Sequence, residues 1–382
     1  MKKLFLSVVL VLAAVLGFAQ VNPQAPLELD KKVLTGKLEN GLTYYVMHNE
    51  KPAQRADFYI VTNVGAVQEA PDQDGLAHFL EHMCFNGTKH FPGKGIISYM
   101  ESIGCAFGAN INAGTGFEQT MYMLNNVPVT REGIIDSSLL ILFDWSAFVT
   151  NDPAEIDAER GVILEEKRTR DGYQWRQQVA LMKTLFKGSA LENVSLIGSE
   201  ENLKNFKPES LVNYYKTWYR PDMQSIVVVG DVDADAVVAK IKDLFGQLPK
   251  AGNPKAKEPV VVPDNATPIV GIFTHKETQQ TSVMFAVKSP AIPKQFRGLG
   301  VAMLNDLVEW LMSSMINERL QDISRMPDAP FLHADASFGD VSNDLHAFMG
   351  SVATRDGEAL KGFNGLMTEL ERVKRYGYSR RI

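Results

Sequence analysis

Three residues within one five-residue stretch carry the strongest chemical signal in the chain. The segment Gly75-Leu-Ala-His78-Phe-Leu-Glu81-His82-Met-Cys-Phe-Asn86-Gly87 holds two histidines four residues apart. On a helix both imidazoles then lie on one face, one turn above the other. That separation lets both reach one zinc ion at about 2.0–2.1 Å. Glu81 follows His78 by three residues and falls on nearly the same face. A carboxylate there approaches a metal-activated water without being a ligand, the position of a general base.

Zinc hydrolases usually take three protein ligands plus water, so the histidines need one more. The segment Pro153-Ala-Glu155-Ile-Asp157-Ala-Glu159-Arg-Gly-Val-Ile-Leu-Glu165-Glu166-Lys-Arg supplies the best candidates. Asp152 followed by Pro153 marks a helix start. Glu159 and Glu166 are two turns apart and share a face. Glu165 is rotated about 100° from Glu166 and points elsewhere. Spacing alone leaves open a solvated face with pairs such as Glu166–Arg170.

These residues need elements to hold them. Asp72 or Asp74 is the expected cap of the first helix, Gly87 its C′ residue, and Leu76, Phe79, Leu80, Met83 and Phe85 its buried surface. Upstream, Leu42–Met47 and Asp57–Val64 alternate as strands, joined as a hairpin by the polar turn His48–Arg55. Ile269–Phe273 and Thr281–Val287 read as a second hairpin around His275–Gln280. Downstream of each, a strand (Thr120–Leu124, then His346–Val352) runs into a similar tetrapeptide, Thr130-Arg-Glu-Gly133 or Thr354-Arg-Asp-Gly357. A helix follows, to about Phe148 or Tyr376. The matching order points to an internal duplication. The expected fold is α+β: two similar domains of mixed or antiparallel sheet with helices, the second truncated. Between them the run Leu248–Pro268 carries five prolines and reads as a linker. The domain reading is therefore leader 1–19, zinc-binding unit 28–248, linker 249–268, and a second non-metal unit 269–382. That second unit reads as scaffold: Val308–Leu320, where the matching helix falls, has no histidine, and His275, His333 and His346 are scattered.

Composition narrows the classes. The 382 residues are 45% hydrophobic and 22% charged, with a formal net charge of -6. Disordered, collagen-like and multi-span membrane proteins are excluded, and no basic excess exists to bind nucleic acid. Met1-Lys2-Lys3, the apolar run Leu4–Phe18 and the small residues around Ala19 read as a secretory leader. The chain is thus expected to be exported, periplasmic or extracellular, without stable membrane insertion once the leader is cleaved. Cys84 and Cys105 are too few for a disulfide scaffold, and one bridge or two packed thiols are equally compatible. No G-x-S-x-G, Walker loop or G-x-G-x-x-G occurs, which leaves serine hydrolase and nucleotide chemistry unsupported.

His-x-x-Glu-His is the inverzincin pattern. HFLEH followed by MCFNGT, then ERGVILEE, then Asn110-Ile-Asn112-Ala113-Gly-Thr115, resembles the pitrilysin/insulinase family of zinc metallopeptidases across the mature chain. The resemblance implies His78, His82 and Glu166 as zinc ligands, Glu81 as catalytic base, and Glu159 as a supporting catalytic glutamate. It implies that Asn112 and Ala113 lie on an edge strand that receives the peptide substrate. The spacing of His82 and Glu166 exceeds the family's usual one and implies an inserted loop. The expected activity is zinc-dependent endopeptidase action on extended peptides or unfolded segments. Family architecture further implies a C-terminal half or partner subunit that closes the site, and this chain alone is expected to bind zinc yet cleave poorly. The alternative is a non-catalytic peptide-binding or assembly subunit of the same fold; the presence of Glu81, which only hydrolysis requires, argues against it.

Overall fold

The computed structural model describes residues 22–378. The predicted leader lies outside the described residues. Two compact units emerge, one formed by Leu29–Pro263 with Ile269–Gly271, the other by Asp264–Pro268 and the chain from Ile272, joined by the described residues before Leu29.

The first unit holds strands β1 (Val33–Lys37), β2 (Thr43–His48) and β3 (Arg55–Thr62), helices α1 (Leu76–Met83) and α2 (Gly95–Ser102), and strands β4 (Ile111–Thr115) and β5 (Thr120–Pro128). Helices α3 (Ile134–Ala147), α4 (Pro153–Arg170), α5 (Tyr173–Leu185), α6 (Glu200–Asn205) and α7 (Pro208–Trp218) follow, then β6 (Gln224–Gly230) and α8 (Ala234–Phe245). The six strands lie in the order β1-β2-β6-β3-β5-β4, antiparallel except for the parallel β2–β6 pair. Alternation sets the buried face: Ala56, Phe58 and Ile60 on β3, and Ile226 and Val228 on β6, are all essentially inaccessible. Helix α3 packs on β3 and β5, and α8 packs on β1 and β2.

The predicted hairpin of β2 and β3 is corrected by this order. Strand β6 sits between them and pairs with both. Residues 49–54 are long enough to cross the roughly 9.6 Å of two strand spacings, so nothing forces direct pairing. Strand β6 arrives from 160 residues downstream, beyond the reach of local pattern reading.

In the second unit, β7 (Thr281–Pro290), α9 (Gly300–Ser324), β8 (His333–Asp340), β9 (Leu345–Thr354) and α10 (Ala359–Tyr376) form an antiparallel β7-β9-β8 sheet with two helices. Its small core joins Ile316, Leu320, Phe331, Ala334, Ala336, Val352 and Leu366. The second predicted hairpin does not form. Ile269–Phe273 is not a strand; Val270 and Ile272 are 77% and 87% exposed, and no neighbouring strand satisfies the segment's backbone.

The order β7-β9-β8 repeats β3-β5-β4 of the first unit. The strand-to-helix turns repeat as well: Gly133 and Gly357 take φ of 83° and 80°, and no atom would lie within 4 Å of an added Cβ at either. Only the left-handed backbone then opposes a side chain. Gly133→Ala and Gly357→Ala should each cost about 1–2 kcal/mol, with Asn costing less. Urea unfolding of each variant checks this, and unchanged midpoints would refute the shared turn.

Candidate metal centre

Helix α1 is short and depends on its surroundings. Gly75 is its N-cap, and neither predicted aspartate caps it. Instead the Glu69 carboxylate accepts from the amides of Gly75 (2.9 Å) and Ala77 (2.7 Å). Burial pushes that carboxyl up to about 8 despite the two amide donors. Asp74 accepts from the Ser199 amide and Asp72 from the Ser210 hydroxyl, which ties the helix entry to α6 and α7. At the other end Cys84 is the C-cap, so Gly87 lies beyond the C′ position predicted for it. Leu76, Phe79, Leu80 and Met83 are fully buried, each stabilising by about 1.5–3 kcal/mol. The Phe79 ring meets Phe206 edge-on at 4.8 Å. Both cysteines are buried and unbridged.

Helix α4 brings the carboxylates. Asp152 accepts from the Ala154 amide at 2.8 Å and Pro153 occupies the first turn, as the sequence reading has it. Ile156 and Ile163 bury one face, which turns Glu159 and Glu166 toward α1. Glu165 projects outward and is bonded twice by Arg168.

The two helices converge on one point. The Nε2 atom of His78 is 3.6 Å from Glu166 Oε1, and that of His82 is 3.3 Å from Glu166 Oε2. One ligand atom from each of the three residues lies within 4.8 Å of the others. Ligands at about 2.0–2.1 Å from a tetrahedral ion are about 3.3–3.5 Å apart, so the donor set fits zinc. The other face of His82 donates from Nδ1 to Glu159 Oε1 at 2.9 Å. The Glu166–Arg170 pair that spacing left open also forms, at 2.5 Å.

Electrostatics follow burial and neighbours. Burial and the adjacent His82 hold His78 down at about 4, so its ring is neutral and ready to donate a lone pair. Burial opposes charge on His82 too, yet the hydrogen bonds with Glu159 and Glu166 raise it to about 9. The bond with His82 holds Glu166 below its ordinary value. Burial raises Glu81, partly offset by the Thr115 hydroxyl, which donates to Glu81 Oε2 at 2.6 Å.

Thr115 ends β4. Among the described strands β4 pairs only with β5, with Ala113 opposite Tyr122, so its other side is a sheet edge. Asn112 is exposed on that edge, and its Oδ1 accepts from the Ala113 amide. Asn112 and Ala113 thus lie on the strand whose last residue touches Glu81.

Glu69, Thr115 and Asn86 escaped the sequence reading as partners of the site. Thr115 and Asn86 stood inside the quoted motifs, but only folding shows which carboxylates they meet. His333 is exposed and His346 is paired with Asp340, away from any such cluster. No helix among the described residues is long and apolar enough to cross a membrane.

Residues 44–197 match the insulinase (peptidase family M16) model, and residues 205–380 match the peptidase M16 inactive domain. The chain belongs to the M16 peptidase family. The inactive-domain match begins before α7 and β6, although both pack in the first unit. The M16 chain is 30% identical to the probable zinc protease PqqL of Escherichia coli over 93% of its own length and 38% of that protein's. It is 31% identical to a zinc protease PQQL-like protein of Arabidopsis thaliana, covering 78% of this chain and 31% of that one. The crystal structure of the first half of the periplasmic protease PqqL from Escherichia coli superposes with a TM-score of 0.80 at 28% identity, covering 93% of this chain and 75% of that chain. Pitrilysin, at 18% identity and a TM-score of 0.67 over 95% of this chain and 38% of that chain, shares the fold. The M16 chain spans about a third of the length of the curated relatives it matches.

The geometry ranks three carboxylates. Glu166→Ala should weaken zinc binding most, Glu159→Ala less, and Glu165→Ala hardly at all. Competition against a chromophoric chelator measures the order. A zinc-free Glu165 variant beside a normal Glu166 variant would overturn it.

Proposed function

We propose that this chain forms the zinc-binding part of an exported metalloendopeptidase that hydrolyses extended peptides or unfolded segments. The observation that carries the reading is the convergence of His78, His82 and Glu166 on one point, with Glu81 beside them at the end of an open sheet edge. Similarity to zinc proteases supports it, one of which, PqqL of Escherichia coli, is a periplasmic protease. So does the leader read in residues 1–19.

His78, His82 and Glu166 would hold the ion. Bound there, zinc polarises the scissile carbonyl and lowers the pKa of its water to about 7. Glu81 accepts the proton of the attacking water and returns it to the departing amide nitrogen. Thr115 fixes the Glu81 carboxylate by one oxygen, leaving the other for that transfer. Glu159 holds the His82 ring in orientation. The peptide adds as a strand along β4, over Asn112 and Ala113, recognised by its backbone and so with little sequence preference. A second half or partner chain closes the peptide in, which fits the share of the relatives' length that this chain spans.

Turnover of an unstructured peptide by the purified chain tests the reading, with and without chelator and with Glu81→Gln. Hydrolysis should depend on zinc and vanish in Glu81→Gln, while that variant keeps one zinc per chain. Zinc binding without turnover, even with a second half supplied, would favour the non-catalytic peptide-binding subunit.

A further inference from the structure

Behind Glu159 lies a buried amide that neither the motif nor the peptidase reading uses. Asn86 is 2% exposed, and its Nδ2 donates to Glu159 Oε2 at 2.5 Å. Its Oδ1 accepts from the Lys94 ammonium. A chain of contacts therefore runs Lys94–Asn86–Glu159–His82.

We propose that Asn86 and Lys94 are positioning residues for the metal centre, an inference that rests on the zinc reading of His78, His82 and Glu166. The Lys94 ammonium has only donors, so it can meet only the Oδ1 of the amide. That fixes the Asn86 NH2 toward Glu159, because the flipped amide would set oxygen against carboxylate and NH2 against ammonium. Glu159 is thereby held by one oxygen and presents the other to His82. A carboxylate only accepts, so His82 Nδ1 must carry hydrogen, and in the neutral ring its Nε2 keeps the lone pair that faces the metal position.

Two further observations mark Lys94 and Asn86 as placed. Lys94 is the N-cap residue of α2 and makes no side-chain cap there. A cation is disfavoured at a helix N-terminus, so its position is not explained by α2. The loop that carries both residues is pinned to α3: Trp145 Nε1 donates to the Cys84 carbonyl, and the fully buried Asp144 accepts from the Thr88 hydroxyl and the His90 amide. Asn86 thus sits on fixed backbone rather than reaching Glu159 from a free loop.

The test compares zinc dissociation constants, from competition with a chromophoric chelator, and thermal midpoints of zinc-free protein for the parent chain and four variants. Asn86→Leu keeps the number and branching of heavy atoms but strips Glu159 and Lys94 of their partner. Asn86→Asp sets a second carboxylate against Glu159. Lys94→Met releases the amide, and Lys94→Arg retains the cation. Asn86→Leu and Asn86→Asp should raise the zinc dissociation constant about tenfold or more. Lys94→Met should raise it less, with Lys94→Arg near the parent value. Values within twofold of the parent for folded Asn86→Leu and Lys94→Met, with only the thermal midpoint moved, would reduce the amide to packing and overturn the proposal. Should Asn86→Leu not fold, exposed Lys94 decides through its two variants. Peptide turnover is read in parallel: a parent that binds zinc without hydrolysis, even with a second half supplied, sinks the peptidase reading, while the zinc constants still decide this one.

Discussion

One imidazole ties the candidate metal centre together. His82 is gripped on both ring nitrogens by carboxylates of a single helix, Glu159 at 2.9 Å and Glu166 at 3.3 Å, two turns apart on α4. The grip exists only where α1 and α4 are locked in register. That lock comes from apolar burial: Leu76, Phe79, Leu80 and Met83 on one helix, Ile156 and Ile163 on the other. Charged groups placed so deep require hydrogen bonds in compensation, and Asn86, Thr115 and Arg170 supply them. Sheet, caps and pinned loop serve to keep these few atoms within a fraction of an ångström, the tolerance that metal ligation and proton transfer impose.

The sequence was most legible where periodicity does the work. Four-residue spacing put His78 and His82 on one face, and seven-residue spacing put Glu159 and Glu166 on another, with Glu165 rotated out to Arg168. The start of α4 was equally readable, since Asp152 and Pro153 act through bonds within one turn. Long-range pairings were not. Strand β6 inserts between β2 and β3 from far along the chain, and Glu69 caps α1 from the preceding turn in place of nearer aspartates. Both are decided by which groups burial leaves unsatisfied. The same holds for Asn86, whose role depends on a glutamate 73 residues away.

The second unit shows what the fold alone supplies. It repeats the strand order and the left-handed glycine turn, yet α9 has no histidine and carries no counterpart of the three-residue cluster. The strand expected at Ile269–Phe273 from alternation does not form, because a strand needs a neighbour as well as a pattern. The repeated strand order thus comes with the three-residue cluster in the first unit and, among the described residues, without it in the second.

Zinc-edge X-ray absorption of the protein loaded with one equivalent of zinc addresses the metal centre most directly. Ligation by His78, His82 and Glu166 gives two imidazole nitrogens at about 2.0–2.1 Å and oxygen donors at about 2.0–2.2 Å, four in all, and the imidazole signature halves in His78→Ala. A sulfur shell near 2.3 Å, or an all-oxygen shell unchanged by His78→Ala, would place the metal elsewhere and contradict the assignment.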